Sequence, residues 1–301
     1  MINLAALRYR KIFAAEGGPV DRIEMAEIQS ETGGRQFQAN AFLSANLLPP
    51  RRHTRRVYSE ASGSGTHRSP LIARFIAISE AMERWAYAAT APSADRARYG
   101  FEVDPMSNGM AAFPGWYRAQ ARPTAQFEAI ERFNLTAWWE GLLPAITRST
   151  EWPNVSAVVI GSDQGSVTVV LHKPTSDGQH AYGHAAAGSF GAACRKAAVE
   201  LMRHERVIQG FHRKQRAGSV AALAAPTDQL ERRSLFFATA EGYESFLRRL
   251  EAPPAKLAPE RKVAFDGPIP GPWTKYADVW RVVYYPVSLR YLTEGDNYFL
   301  W

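Results

Sequence analysis

The pentapeptide Glu-Ala-x-Glu-Arg occurs twice in this chain, at 80–84 and at 128–132, each time inside an apolar run of helical period. From Leu71 to Tyr87 the apolar residues Leu71, Phe75, Ile78, Met82 and Trp85 recur at steps of three and four, the stripe of an amphipathic helix. Glu80, Glu83 and Arg84 then fall on the opposite side. In the second run Ile130, Phe133 and Ala137 share one face, and Glu128, Glu131 and Arg132 share another. A third helical run, CRKAAVELMRHERVIQGF from Cys194, sets Glu200, Arg203 and His204 at the same phase. Each run follows turn-rich sequence: SGSGTHRSP (62–70), with Ser69 as N-cap and Pro70 at the first helical position; DPMSNG (104–109); and GHAAAGSFGAA (183–193).

Strands complete the pattern. VSAVVIG (155–161) and SVTVVLH (166–172), joined by SDQG, predict a hairpin. A helical piece from Leu235 to Leu250 and the Pro-rich APPAKLAPERK (252–262) lead to a last strand, VWRVVYYPV (279–287). Helices mixed with non-alternating strands place the chain in the α+β class, as mixed β-sheets flanked by helices.

Two glutamates three positions apart on a helix are close enough to share a cation. Two such helices supply four carboxylates, which repel one another unless a metal ion or an arginine neutralises them. Magnesium, with its preference for hard oxygen ligands and for bridging carboxylates to phosphates, suits that set. The arginine after each pair, Arg84 or Arg132, can hold a phosphate or a second carboxylate through a fork of hydrogen bonds. The competing reading, a solvated face of weak intrahelical ion pairs, gives no reason for the repeated interior alanine or for the turn before each helix.

Composition narrows the partners. A formal charge of +7 favours polyanions, and a single cysteine, Cys194, excludes an internal disulfide and a cysteine-rich zinc site. No secretion signal is evident at the N-terminus, and no run approaches the roughly 18 apolar residues of a membrane span, so a cytoplasmic protein without membrane contact is expected. His180 and His184 in HAYGH read as a turn without a third metal ligand, and RRHTRR (51–56) as a solvated basic loop. Cys194 reads as a buried small side chain, and Phe133, Trp138 and Trp139 as packing beneath the second acidic helix.

These segments resemble the signatures of the YcaO domain family. SGSGTHRSPLIARFIAISEAMERW resembles the first, SNGMAAFPGWYRAQARPTAQFEAIERFNLTAWW the second, GHAAAGSFGAACRKAAVELMRHER the third, and YADVWRVVYYPV is similar to the strand that closes the domain. The resemblance covers residues 61–287 in family order, leaving 1–60 as a divergent N-terminal part and 288–301 as a short C-terminal tail of one domain spanning 1–301.

The resemblance implies an ATP- and magnesium-dependent, cyclodehydratase-like enzyme in the maturation of a ribosomally synthesised peptide. A nucleophile adds to a backbone amide carbonyl, the oxyanion takes the γ-phosphoryl group of ATP, and phosphate then leaves, giving an azoline, thioamide or amidine. By position, Glu80, Glu83, Glu128 and Glu131 are the implied magnesium ligands, with Glu200 added. Arg132 and Asn108 are implied at the phosphates, beside Arg84. The peptide substrate, a ThiF-like or other leader-recognising partner and a homo-oligomer are the implied associations. The sequence departs from the family at Ser64, where a lysine is usual, at Ile76, where a serine is usual, and in ending at NYFLW without a Pro-rich tail. These departures motivate an alternative, a catalytically inactive scaffold or partner-binding protein of the same pathway. A second alternative, a basic nucleic-acid or regulatory binding protein, lacks a reading helix or an aromatic sheet motif.

Overall fold

The computed structural model describes residues 5–30, 32, 34–49, 55–163, 165–218, 225–256 and 259–301. Along the chain run α1 (Ala5–Arg8), β1 (Val20–Ser30), β2 (Gly34–Leu43), β3 (Gly63–His67), α2 (Pro70–Thr90), β4 (Met110–Phe113) and α3 (Ala121–Trp139). There follow β5 (Ala145–Ser149), β6 (Ser156–Asp163), β7 (Ser166–Pro174), β8 (His180–Ala187), α4 (Phe190–Arg216), α5 (Gln229–Ala238), α6 (Ala240–Glu251), β9 (Lys262–Pro268) and β10 (Asp278–Tyr285). Antiparallel sheets and helices mix throughout, as an α+β chain should. Contacts divide it into two compact units: Met1–Pro50, Glu60–Ala129 and Arg261–Val287 form the first, and Arg51–Ser59, Ile130–Glu260 and Ser288–Trp301 the second. No helix among the described residues is long and apolar enough to cross a membrane.

The first unit holds two three-stranded sheets, β1-β2-β3 and β4-β10-β9. Helix α2 lies so close to β3 that the strand tolerates only glycine there. A Cβ at Gly65 would come 2.0 Å from the Ala73 carbonyl oxygen, and one at Gly63 would come 2.3 Å from that of Ala77. The SGSGTHRSP stretch, expected as a turn, is therefore a strand whose glycines seat the helix. Its contact face is correspondingly small: Ala73, Ala77 and Ala81 are fully buried, and Ile78, Met82 and Ala86 extend that face into the core around Ile12, Val20, Met110 and Trp273. The expected apolar stripe is buried at Ile78 and Met82 and packs half-buried against the same core at Phe75 and Trp85; only Leu71 is exposed. Ser69 occupies the N-cap position without a side-chain capping bond; its N–H donates to His67 Nδ1 instead.

In the second unit the sheet β5-β6-β7-β8 contains the expected β6–β7 hairpin. It carries α4 by the same device: a Cβ at Gly183 would lie 2.2 Å from both the Ala197 carbonyl oxygen and the Leu201 nitrogen. The GHAAAG segment, read as a turn, is thus largely strand β8, and Ser189 caps α4 by accepting the Ala192 N–H. Setting Ser69 on Ser189 brings Gly63 onto Gly183, Ser64 onto His184 and Glu80 onto Glu200.

The expected helix 235–250 is two helices, broken at Thr239, whose hydroxyl oxygen accepts the Gly242 N–H at the start of α6. A fully buried cation, Arg233, holds the C-terminal segment through the carbonyls of Tyr291, Glu294, Gly295 and Leu300, each a charge-assisted bond. Phe299 then reaches the ring cluster of Trp138, Tyr182, Phe237 and Phe246. Cys194 is buried, as expected. Of the RRHTRR loop, Arg51–Thr54 lie outside the described residues; the Arg56, Val57 and Tyr58 N–H groups converge on the buried Glu231 carboxylate.

Two buried histidines couple this unit to pH. His204 Nδ1 accepts the Tyr182 N–H, which leaves Nε2–H to donate to Ser234 and fixes the neutral ring. Burial pulls its pKa down to about 3 and that of His172 down to about 4, the latter helped by His180. The unfolded state therefore binds these protons first. Their stability contribution is complete above the unfolded value of about 6.5 and is lost as pH falls toward the folded values, at up to about 1.4 kcal/mol per pH unit for each ring. His172→Phe, which keeps an aromatic ring beside Phe246 and Tyr243, should flatten the decline in urea-unfolding free energy between roughly pH 7 and 5; an unchanged slope would contradict this assignment.

The glycine seats predict opposite signs for two similar changes. Gly183→Ala should destabilise by about 1–3 kcal/mol through overpacking, whereas Gly210→Ala, whose Cβ meets nothing within 4 Å in α4, should stabilise by about 0.5–1 kcal/mol. Urea denaturation distinguishes the two.

Candidate functional site

The roll of α2 on its glycine seat turns Glu80 toward β3 and leaves Glu83 one turn further along. Glu80 Oε2 accepts the Ser64 N–H at 2.9 Å, and Ser64 Oγ donates to Asn40 Oδ1 at 2.7 Å. The position at which the family resemblance implies a lysine thus carries a hydroxyl bonded to Asn40 and an N–H bonded to the Glu80 carboxylate. Glu83 is held well above the usual carboxylate range: burial is the largest cause, the charges of Glu128 and then Glu80 add to it, and Arg84 opposes them. Three of the predicted acids, with Arg84, therefore act on one another inside the first unit.

Asn108 belongs to the same unit. Its Nδ2 donates to Asp104 Oδ2 at 3.0 Å, and Asp104 Oδ1 accepts the Met106 N–H. The buried Arg281 donates to the Asp104 and Met106 carbonyl oxygens at 2.6 and 3.0 Å and lies 3.5 Å over the Phe101 ring. Gly109, at φ +67°, comes so near α3 that a Cβ would sit 2.9 Å from that of Ala129. Arg281 and Gly109 thus pin the Asn108 turn against the helix position next to Glu128.

Helix α3 continues into the second unit with Glu131 and Arg132. Glu131 Oε1 lies 2.7 Å from His184 Nδ1, and Oε2 accepts the Ala186 N–H at 3.3 Å. Burial alone would raise the Glu131 pKa, but His184, Arg132 and the Ala186 N–H together bring it below the usual carboxylate range. Arg132 reaches the Trp301 carbonyl oxygen only at 3.5 Å, and its buried Nε has no hydrogen-bond partner among the described residues. Glu200, about half exposed, forms an ion pair with Arg203 at 2.9 Å.

His180 and His184 lie on strand β8 rather than in a turn. Four residues along a strand span about 13 Å, too far to share an ion, and His180 instead stacks on Tyr243 with ring centroids 3.7 Å apart. Among the described residues no three His, Cys, Asp or Glu side chains are gathered closely enough to hold a metal ion as they stand. The first unit nevertheless contains neighbouring hard-oxygen groups: burial and the charges of Glu128 and Glu80 raise the Glu83 pKa, as expected where carboxylates lie near one another. Sequence reasoning missed His184 as the partner of Glu131 and the Ser64 N–H as the partner of Glu80. The register of Ser64 on His184 was visible once Ser69 and Ser189 were aligned.

No known sequence family matches the chain, and no curated protein matches it. Solved structures do. One chain of the E. coli microcin synthetase McbBCD complex with pro-MccB17 bound is similar at a TM-score of 0.53 and 12% identity, over 87% of this chain and 86% of that one. YcaO from Methanopyrus kandleri, bound with AMPPCP and Mg2+, is similar at a TM-score of 0.52 and 14% identity, over 93% and 88%. The chain has a YcaO-like fold. In this YcaO-like chain the two Glu-x-x-Glu-Arg motifs lie on α2 and α3, and the third signature spans β8 and α4.

Carboxylates that raise one another's pKa weaken the folded state when no cation is bound. Glu83→Gln should therefore raise the stability of the nucleotide- and magnesium-free protein by roughly 1 kcal/mol, read as a higher Tm in EDTA. A lower Tm would mean that Glu83 is a structural ion-pair partner of Arg84 instead.

Proposed function

We propose that residues 1–301 work as one YcaO-type domain that uses ATP and magnesium to activate a backbone amide of a ribosomally made peptide. What supports this reading is Glu83, which burial and the charges of Glu128 and Glu80 hold well above the usual carboxylate range within a YcaO-like fold, a costly arrangement that a divalent cation relieves. In the second unit, Glu131 is held by His184 and the Ala186 N–H. Glu200 is left out of the set, because Arg203 already engages it. Two neighbours of the same fold support the reading by what they hold: one a nucleotide analogue with Mg2+, the other a pro-peptide.

Magnesium, when bound, would neutralise phosphate charge and draw electron density from the transferring phosphoryl group. The protein's own residues do the rest. Glu80, fixed by the Ser64 N–H, and Glu83, on which the Glu128 charge acts, would hold the cation together with Glu128. In the second unit, Arg132 has an unsatisfied buried Nε–H suited to a phosphate oxygen; in the first, Arg84 adds positive charge next to Glu83. Asn108, oriented by Asp104, supplies a neutral donor from a turn that cannot shift. His184 orients Glu131 and spreads its charge.

With magnesium and a peptide encoded beside the gene, the protein should consume ATP and the peptide should lose the mass of one water. Glu83→Gln and Glu128→Gln should each lower the rate at least about 100-fold, while Glu200→Gln leaves it nearly unchanged. Full turnover in both variants would remove the site. The departures at Ser64 and at Ile76, which is more than a third exposed on α2, favour a second reading, a scaffold that binds a partner without hydrolysis. Nucleotide binding without peptide-dependent ATP consumption would select it.

A further inference from the structure

The second unit contains a cavity of about 380 Å³ whose walls include Trp139, Arg248, Arg249, Asn297 and Tyr298. Its charges do not balance. Of the acids at its edge, Glu140 already accepts from the Tyr298 hydroxyl at 2.8 Å and from Ser288, and Glu294 is paired with Arg290 at 2.8 Å. Among the described residues neither Arg248 nor Arg249 is paired with a carboxylate.

Arg249 is the better defined of the two. Its Nη2 donates to the Ala252 carbonyl oxygen at 2.9 Å, its Nη1 lies where a Cβ at Gly141 would approach within 3.2 Å, and its buried Nε has no partner. Burial pulls its pKa down, as expected of a cation without a counter-charge. Arg248 precedes it in the last turn of α6 and is exposed. Cations at a helix C-terminus offset the backbone dipole, which explains the bond to Ala252. It does not explain an aromatic-lined cavity beside them.

We propose that this cavity binds an acidic peptide segment, with a side-chain carboxylate held by the Arg248–Arg249 pair and a neighbouring apolar side chain resting on Trp139. The guanidinium fork matches a carboxylate. A dianionic phosphate would meet stronger repulsion from Glu140 and Glu294 at the rim, and a nucleic-acid backbone needs a longer track of cations than two. The inference is independent of the ATP reading, since binding is measured without nucleotide or magnesium.

A fluorescein-labelled peptide of alternating Glu and Leu, titrated by anisotropy, tests it. The same peptide with Gln for Glu should bind at least about tenfold more weakly, and Arg248→Gln, which changes an exposed side chain, should weaken the Glu peptide by a similar factor, with Arg249→Gln at least as severe. Equal affinity for the Glu and Gln peptides, or unchanged affinity in both variants, would overturn the proposal. Displacement of the peptide by equimolar inorganic phosphate, or a single-stranded oligonucleotide whose binding is lost in the same variants, would also overturn it by reassigning the pocket to phosphate.

Discussion

Glycine against helix backbone is the contact on which the rest depends. Gly63 and Gly65 let α2 approach β3, and Gly183 lets α4 approach β8, more closely than any side chain would permit. At that distance the facing helix positions must be small, which accounts for Ala73, Ala77 and Ala81 under α2 and Ala193 and Ala197 under α4. The helix roll is then fixed, because rotating Leu71 or Phe75 inward would drive bulk into the strand backbone. With the roll fixed, Glu80 faces the Ser64 N–H, and Glu83 lies where the Glu128 charge acts on it.

That geometry leaves charge in places where folding alone would not put it. Glu83 is half-buried with like charges acting on it, Arg132 keeps an unsatisfied donor, and Arg249 is half-buried without an acid among the described residues. By contrast, Arg233 and Glu231, which are equally deep or deeper, are saturated with backbone partners and serve the scaffold. Unsatisfied charge lowers stability, and stability given up at a site is the usual cost of one that must accept a charged ligand.

Much of this was legible in the sequence, and the gaps have physical causes. The repeated Glu-Ala-x-Glu-Arg located helices α2 and α3 correctly because helical period survives in a partly buried helix. The apolar stripe misled at Leu71 because alanine carries little hydrophobic weight, so a face built from Ala73, Ala77 and Ala81 looked weaker than Leu71. Gly-rich strands β3 and β8 read as turns, since glycine signals flexibility by composition and close approach only in context. The hairpin β1–β2 was missed because most of β1 is solvent-facing, with Asp21, Arg22, Glu24 and Glu27 interrupting the alternation. The Glu131–His184 contact joins residues far apart in sequence, so no local pattern could announce it.

Whether the carboxylates of α2 and α3 hold a divalent cation against a triphosphate is most directly tested by electron paramagnetic resonance titration of Mn2+ in the presence of a non-hydrolysable ATP analogue. Wild-type protein should bind Mn2+ only with the analogue present, and replacing Glu83 or Glu128 by Gln should weaken that binding at least about tenfold, more than 1.4 kcal/mol. Analogue-dependent Mn2+ binding of undiminished strength in both variants would contradict a cation site built from these side chains.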